Sequence, residues 1–360
     1  MAVRNRKMEI IVGNGSTISN FQATVEKLPD DCWKIWYSKI SGPFGHWKFN
    51  IGYAIGALDD LMFVDAVFSA ENISREDGLN ISNLPDGWMP AQPVHIALPG
   101  GRFRLYFWAH GPEDHVVRFL AAESDDGINY RVRDPKQPCL YHYADRAAPL
   151  TLPGIEGLVG KREDKWAKTD EPGAPEELIC NDATMLNRLS DGSYELYSAA
   201  IHPVPKSSPR YIAHDNAAGY CRYIRRFASE DGLYWRLSSE FAPMPQDPPE
   251  VQFYHLSVTT EDGGKVGLLG YYDVKKQTMD MERCLSNDGK VWRRPEPGSA
   301  LVPREDGEMQ VYPPSNLILH DGKWHLFYTS CNYTHNRRYC SGAEEHNVIK
   351  LAVFDAKLFS

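Results

Sequence analysis

The feature of this sequence that most constrains its fold is a phrase that recurs five times: an apolar strand, a polar turn, and a second strand rich in aromatic residues. The turns read LSDGS, LPGGR, TEDGG and LHDGK in four copies, which places Gly where a positive φ is favourable. Each copy is therefore a predicted β-hairpin. The hairpins span residues 21–38, 92–109, 182–199, 255–272 and 314–330.

A second phrase, Ser-x-Asp-Gly-x-x-aromatic, follows most of these hairpins. It reads SDDGINY at 124–130, SEDGLYW at 229–235 and SNDGKVW at 286–292, and ALDDLMF at 57–63 is a more divergent copy. The aspartate can accept backbone N–H groups, the glycine permits a left-handed step, and the aromatic side chain can pack between layers. The phrase predicts a turn between a third and a fourth strand.

Two hairpins in each copy predict a four-stranded antiparallel sheet, and radial stacking of five such sheets is a five-bladed β-propeller. The expected fold is thus all-β, with one domain over residues 1–360. Segment 7–13 would supply the outer strand of the last blade and close the ring. A β-sandwich with similar hairpins is the alternative. The blades are expected at residues 19–86, 89–144, 178–246, 251–304 and 310–360.

The composition excludes several classes of function. A net charge of −9 opposes a nucleic-acid partner, because phosphate binding requires clustered Lys and Arg. No apolar run long enough for a signal peptide or a membrane span occurs, so a cytoplasmic protein without a membrane partner is expected, and export after removal of a leader is the alternative. Seven scattered cysteines indicate reduced thiols, although Cys331 and Cys340 share one loop and could form a disulfide after export.

Almost every long insertion is predicted to lie on one face of the propeller. The loops between second and third strands share this face with the segments that join successive blades, and they contain most of the histidines. Loops on a rigid scaffold commonly carry binding and catalytic residues. We therefore expect the functional site on this face, where the first strand of each blade begins.

The paired phrases DGSYELYS, DGKWHLFYTS and S-x-D-G-x-x-W resemble the blades of five-bladed glycosidases, which include arabinanases, β-xylosidases, α-L-arabinofuranosidases, invertases and fructanases. The resemblance covers most of the chain. It implies a glycoside hydrolase or transglycosidase that acts on a neutral oligosaccharide, with furanose or pentose units as candidates. A non-catalytic carbohydrate-binding propeller and an interaction scaffold are the alternatives. A sialidase is less favoured, because the Asp and Gly of SEDGLYW are adjacent.

The resemblance also implies catalytic carboxylates at the starts of the first strands, one acting as acid and one as base or nucleophile. Only one of these starts is acidic here: Asp182, which is therefore predicted to be a functional carboxylate, with a loop cap as its alternative role. The second carboxylate is expected in a blade-joining loop, and His255 is a candidate acid or ion ligand. The loop candidates are Glu177, Glu250 and Glu308.

Planar polar and aromatic side chains near the strand starts are the predicted sugar contacts. No cofactor is expected, no catalytic metal site is predicted, and a structural cation in the central channel is the one ion considered. The identity of the sugar, the stereochemical outcome and the assignment of acid and base stay open. The predicted contacts are Asn20, Trp88, Gln92, Arg210, His214 and Arg337.

Overall fold

The computed structural model has an all-β architecture, as expected from the repeated hairpins. Its described part contains one short 3-10 turn, Ala356–Leu358, and no α-helix. None of the described residues forms a helix long and apolar enough to cross a bilayer. The structure describes residues 7–10, 23–41, 48–58, 62–64, 79–112, 116–141, 159–160, 177–178, 183–213, 219–261, 263–336, 339–342 and 345–358.

The described strands form four sheets, and the first strand in the chain is β1 (Lys7–Ile10), which belongs to the fourth sheet. The first sheet consists of β2 (Thr24–Lys27), β3 (Trp33–Ser41), β4 (Lys48–Gly56) and β5 (Met62–Val64). The second consists of β6 (Asn80–Ser82), β7 (Met89–Ala97), β8 (Phe103–His110), β9 (Val117–Ser124), β10 (Asn129–Val132) and β11 (Leu140–Tyr141). The third consists of β12 (Val159–Gly160), β13 (Glu177–Leu178), β14 (Met185–Arg188), β15 (Tyr194–Pro203), β16 (Tyr220–Ser229) and β17 (Arg236–Phe241).

The fourth sheet contains eight strands, including β1, and comprises two successive antiparallel groups. Its other strands are β18 (Val251–Glu261), β19 (Gly264–Asp273), β20 (Thr278–Ser286), β21 (Gln310–Tyr312), β22 (Ile318–His320), β23 (Lys323–Cys331) and β24 (Asn347–Asp355). Strand β21 pairs with both β20 and β23 and so joins the two groups. Strand β1 pairs antiparallel with β24, the position expected for segment 7–13.

Some pairings depart from the pattern of the hairpins. Strand β6 lies within the range expected for the first blade, yet it pairs in parallel with β10 of the second sheet. Strands β12 and β13 form a parallel pair within the segment expected to join two blades, and β13 extends the third sheet next to β15. These short strands cover sheet edges that would otherwise expose unpaired backbone groups.

Each of the first three sheets forms one group of strands, and the fourth sheet forms two. The described residues contain six clusters of buried apolar side chains, of which five each join two successive strand groups, including the last group and the first. The sixth contains Tyr254 and Tyr312 and extends over the third, fourth and fifth groups. The alternating aromatic and aliphatic residues of the hairpins supply these side chains. A cavity of about 340 Å³ lies among the inner strands β2, β7 and β14 and the segment 315–316. The clusters join Trp36 to Leu105, Tyr106 to Leu196, Tyr197 to Phe253, Leu268 to Leu326, and Phe327 to Ile35.

The Ser-x-Asp-Gly turns adopt one hydrogen-bonding pattern in three places. In the first copy, Ser124 Oγ accepts the N–H of Gly127 at 2.9 Å, and Asp126 Oδ1 accepts two further N–H groups at 2.8 Å. Hydrogen bonds to the carboxylate, first that from the Asn129 side chain, lower the pKa of Asp126. The two later copies repeat these contacts.

These turns also connect neighbouring strand groups. The hydroxyl of Tyr106 donates to the carbonyl of Gly232 at 3.0 Å. The single hydroxyl proton of Tyr197 has two acceptors within reach, Glu195 Oε2 at 3.0 Å and the carbonyl of Gly289 at 3.3 Å. The second strand of one group therefore binds the third-to-fourth turn of the next group. The repeated turn thus stabilises both its own sheet and the junction between sheets.

All six cysteines in the described part are free thiols. Cys331 and Cys340, the pair that the shared loop suggested as a disulfide, are among them. Burial raises the pKa of Cys139 to about 12, and it also raises the pKa of Cys284. Cys284 therefore acts as a small apolar side chain of the core, and the partly buried Cys139 packs against the core.

Candidate functional site

The starts of three inner strand segments meet at one point of the fold. Thr24 Oγ1 donates to the carbonyl of Pro93 at 2.7 Å and lies 2.7 Å from Ser315 Oγ. Because the single hydroxyl proton of Thr24 goes to Pro93, Ser315 is the donor in the second contact. The backbone N–H of Ser315 donates to the carbonyl of Ala23 at 2.8 Å. The first, second and last hairpins are thus held together where the site was expected.

Two residues at equivalent points of this region have left-handed backbones although neither is glycine. The φ angle is +52° at Gln92 and +50° at Ala183. Gln92 lies in an irregularity within β7, two positions before Val94, which pairs with Tyr106, and Ala183 lies two positions before Met185, the first paired residue of β14. Such conformations cost about 1–3 kcal/mol and concentrate at functional sites. Ala183 directly follows Asp182, the predicted carboxylate.

Four of the predicted site residues lie outside the described residues, as does the side chain of a fifth. Only the backbone of Glu177 is described, as part of β13. For these positions the assigned roles stay predictions. The four residues are Asn20, Asp182, His214 and Arg337.

Each of the described sugar-contact candidates contacts other protein groups, and the contact of Gln92 is made by its backbone. The backbone N–H of buried Gln92 donates to Ser38 Oγ at 2.7 Å. The half-buried Trp88 ring lies 4.9 Å below the guanidinium of Arg118. The guanidinium of Arg210 donates to four backbone carbonyls in the segment 244–251, at 2.9 to 3.5 Å. Arg210 therefore holds this joining segment in place, and its role as a sugar contact stays a prediction.

Glu308 is a buried carboxylate with three donors. It accepts from Ser330 Oγ at 2.7 Å, from Lys350 Nζ at 2.8 Å and from the backbone N–H of Glu305 at 2.7 Å. Burial alone would raise the pKa of Glu308, but the hydrogen bonds from Lys350, Glu305 and Ser330 outweigh it and lower the pKa. A general acid needs a raised pKa, so this environment suits an ionised group that anchors a loop.

Glu308→Gln is expected to reduce the free energy of unfolding by about 1–3 kcal/mol near neutral pH. Folding lowers the pKa of Glu308 below its ordinary value of 4.5. The ionised side chain therefore stabilises the folded protein fully at pH values above 4.5, and this stabilisation is lost as the pH falls through the folded-state pKa. The stability difference between wild type and variant should therefore shrink in acid. Urea unfolding followed over a pH series measures it.

Glu305→Gln is the matched control for this prediction. Glu305 Oε2 accepts from the same Lys350 Nζ at 3.0 Å, but its side chain is about half exposed. An exposed ion pair contributes about 0–1 kcal/mol. Equal losses in the two variants, or a difference that does not change with pH, would contradict the proposed anchoring role of Glu308.

His255 lies inside a cluster of aromatic and polar side chains that sequence reasoning did not identify as a unit. We call it the Tyr–His cluster. The His255 ring meets the edge of Tyr312 at 5.1 Å, and Cβ of an added side chain at Gly270 would lie 2.9 Å from Cβ of His255. The cluster consists of Arg222, Gln252, Tyr254, His255, Tyr272, Gln310, Tyr312 and His335.

The Tyr–His cluster is crossed by hydrogen bonds and cation–π contacts. Arg222 donates to Gln252 Oε1 at 2.8 Å and stacks over the rings of Tyr254 and Tyr272 at 5.0 and 5.3 Å. A sequence signal for it does exist: Gln-x-Tyr occurs at 252–254, at the start of β18, and again at 310–312, which forms β21. Residues two apart on a strand lie on the same face, so each pair presents an amide and a phenol together.

Among the described residues, no three His, Cys, Asp or Glu side chains converge in an arrangement that would hold a metal ion. The cation in the central channel therefore stays a prediction. The described part of the cavity among the inner strands contains hydroxyl and amide groups, including Thr24, Asn187, Ser315 and Asn316. These amides already bind the neighbouring backbone, at Val258 for Asn187 and at Val25 for Asn316.

No family model and no curated protein matches the sequence. Solved structures do match the fold over nearly the whole chain. A glycoside hydrolase matches with a TM-score of 0.62 at 11% identity and covers 97% of this chain and 90% of its own. The GH43_1 enzyme from Xanthomonas citri, complexed with xylose, matches with a TM-score of 0.53 at 13% identity and 95% and 90% coverage. A thermostable family-43 glycoside hydrolase matches with a TM-score of 0.52 at 10% identity, with 96% and 90% coverage.

At these identities the comparisons establish a shared fold. The chain has the all-β fold of these glycoside hydrolases, in agreement with the resemblance seen in its blade pattern. The similarity extends over most of each neighbour, because 90% of each of the three chains is covered.

Proposed function

We propose that this chain is a single five-bladed β-propeller and a glycoside hydrolase that cleaves a neutral oligosaccharide. The observation that carries the proposal is the whole-chain similarity to glycoside hydrolases. The five apolar clusters between successive strand groups support the number of blades. A pentose-containing substrate is favoured because one neighbour is complexed with xylose.

The proposed chemistry uses two carboxyl groups and needs no cofactor. Asp182 is one of them, since it precedes the strained residue Ala183 at the start of an inner strand. Glu177 is the preferred partner, because Glu308 is held ionised by three donors and is poorly suited to donate a proton. One group protonates the leaving oxygen, while the other activates water or attacks the sugar.

Hydrolysis of a panel of nitrophenyl glycosides and pentose oligosaccharides tests this proposal. We expect turnover of at least one xyloside or arabinoside by the wild-type protein and a kcat about 10²- to 10⁴-fold lower for Asp182→Asn. Calorimetric binding of oligosaccharides without turnover of any substrate would instead identify a carbohydrate-binding protein. If the protein neither binds nor hydrolyses any member of the panel, the result would contradict both the glycosidase and the carbohydrate-binding function.

A further inference from the structure

The last strand group is closed in a way that leaves out one turn. In the second, third and fourth groups, a Ser-x-Asp-Gly turn follows the third strand and leads the chain into the outer strand position. In the last group, the strand beside β24 is β1, which comes from the other end of the sequence. No turn of the chain connects these two described strands, because they are so far apart in sequence.

The sequence after β24 also departs from the repeated turn. Phe354 pairs with Trp324, the first residue after the closing pair of its hairpin. Ser286 pairs with Lys265 at the same point of the preceding group. The stretch FDAKLFS at 354–360 therefore stands where the fourth group has SNDGKVW. It contains neither the first Ser nor the Asp-Gly pair, and its seventh residue is a serine where three other groups have an aromatic residue.

At three other junctions, the turn of the later group fills the space beside the earlier group. The aromatic residue of the turn packs in the apolar cluster between the two groups, as Tyr130, Trp235 and Trp292 show. Polar contacts add to this packing where the third group meets the second. There, Arg104 Nη1 donates to the carbonyl of Asp231 at 2.6 Å.

A cavity of about 660 Å³ lies where the last group would place this turn, and we call it the junction cavity. On the side of the last group, Trp324 and Ala356 line it, and Ala356 is the third residue of the stretch that replaces the turn. On the side of the fourth group, its wall includes Val266, Leu285 and Val291. The junction cavity thus occupies the position that an aromatic turn fills at the other three junctions.

The junction cavity is apolar at the positions where a filled junction binds its turn with polar side chains. Val266 is the second residue after the closing pair of its hairpin and corresponds to Arg104. Two positions further along, Leu268 corresponds to Tyr106. Neither Val266 nor Leu268 can donate a side-chain hydrogen bond to a peptide carbonyl. The wall therefore favours an apolar ligand over a polypeptide turn.

The size and the charges of the junction cavity restrict the ligand further. Pockets of about 300–1,000 Å³ with largely apolar lining are typical sites for small molecules. Asp288 and Arg293 both line the cavity, so it offers one charge of each sign and no net attraction for an anion or a cation. An aromatic ring is the group that the fold itself places at this point of three other junctions.

We propose that the junction cavity binds a small, uncharged aromatic molecule, for which phenol and indole are suitable probes. The cavity is separate from the candidate catalytic site. Gly263 and Gly264, at the turn between β18 and β19, line it, whereas the catalytic carboxylates are predicted at the opposite ends of the inner strands. The inference is therefore independent of the proposed glycosidase function.

Methyl NMR spectra of isotope-labelled protein, titrated with phenol and with indole, test the site directly. The signals of Val266 and Leu285 are identified by their loss in Val266→Ile and Leu285→Ile. We expect saturable shifts of these signals with both probes and none with xylose. Val94 and Leu186, which line the cavity among the inner strands, are the internal control and should not shift. Shifts that fail to saturate, or that are as large at Val94 and Leu186, would overturn the proposal.

Variants that fill the junction cavity provide a second test. Ala356→Trp and Val291→Trp add an aromatic side chain on its two sides and should each lower the affinity for indole about tenfold or more. Tyr234→Trp is the matched control, because Tyr234 holds the position of Val291 in the preceding turn and both are exposed, at 68% and 76%. Its affinity should stay within about twofold of wild type. Circular dichroism checks that each variant is folded, and one folded filling variant is sufficient.

A peptide with the sequence SEDGLYW, the turn at 229–235, distinguishes a small ligand from a polypeptide partner. We expect it to compete with indole only weakly. Binding about tenfold tighter than indole would mean that the cavity takes a polypeptide turn, and the proposed ligand class would be wrong. Unchanged affinity for indole in both folded filling variants would exclude the site itself. None of these measurements uses glycoside hydrolysis, so the inference and the proposed function can fail separately.

Discussion

Asp182→Asn should lower kcat for glycoside hydrolysis by about 10²- to 10⁴-fold while KM changes little, because a group that transfers a proton or attacks in the transition state is lost without a change of shape. The position supports a large effect. The next residue, Ala183, has a φ of +50°, and Thr184 is fixed by a 2.7 Å contact between its Oγ1 and Ser198 Oγ. Steady-state kinetics on the best aryl glycoside measures the effect.

Asp191→Asn is the control for this prediction. It makes the same chemical change within the same hairpin, but at its exposed turn, where Asp191 Oδ1 binds the hydroxyl and the backbone N–H of Ser193. Its kcat should remain within about twofold of wild type, since surface substitutions have small effects. A folded Asp182→Asn protein with comparable activity would exclude Asp182 as the catalytic carboxylate.

Local interactions explain which parts of the fold were predictable from sequence. The turn around Asp126 is encoded within a few residues, because Ser124, Asp126 and Gly127 satisfy one another's backbone groups. The parallel pairing of β6 with β10 joins residues about 50 positions apart, and the sequence of neither strand alone predicts it. Likewise, the pairing of β21 with two groups explains why four sheets form where five separate sheets were expected.

The same distinction applies to the candidate site. The convergence of the strand starts at Thr24 and Ser315 follows from the repeat, once the hairpins are placed around a common centre. The hydrogen bonds of Arg210 do not follow from the repeat, because nothing in the sequence shows that its guanidinium donates to four carbonyls between residues 244 and 251. Likewise, Tyr312 and His335 are separated by 23 positions in the chain, and only the fold brings their side chains within 3.5 Å. Side-chain partners that come from different strand groups become known only from the three-dimensional arrangement.

Gly289→Ala is expected to cause the largest loss of stability. The residue has a φ of +74°, and a Cβ atom there would lie 2.5 Å from Tyr197 Oη and 3.0 Å from Glu195 Oε2. Glu195 cannot move easily, because it is fully buried and bound by Lys265 at 2.7 Å and by Arg226 at 3.1 Å. Backbone strain of about 1–2 kcal/mol and overpacking of about 1–3 kcal/mol should together lower the free energy of unfolding by roughly 2–5 kcal/mol.

Gly322→Ala separates the two contributions. Gly322 has a similar φ of +67°, but no atom of the described residues lies within 4 Å of an added Cβ. This variant should therefore lose only the backbone part, about 1–2 kcal/mol, in urea unfolding under the same conditions. The additional loss in Gly289→Ala then measures how tightly the turn of one strand group packs against the buried Glu195 of the preceding group. Equal losses in both variants would mean that this junction yields to the added methyl group, and the repeated turn would then stabilise only its own sheet.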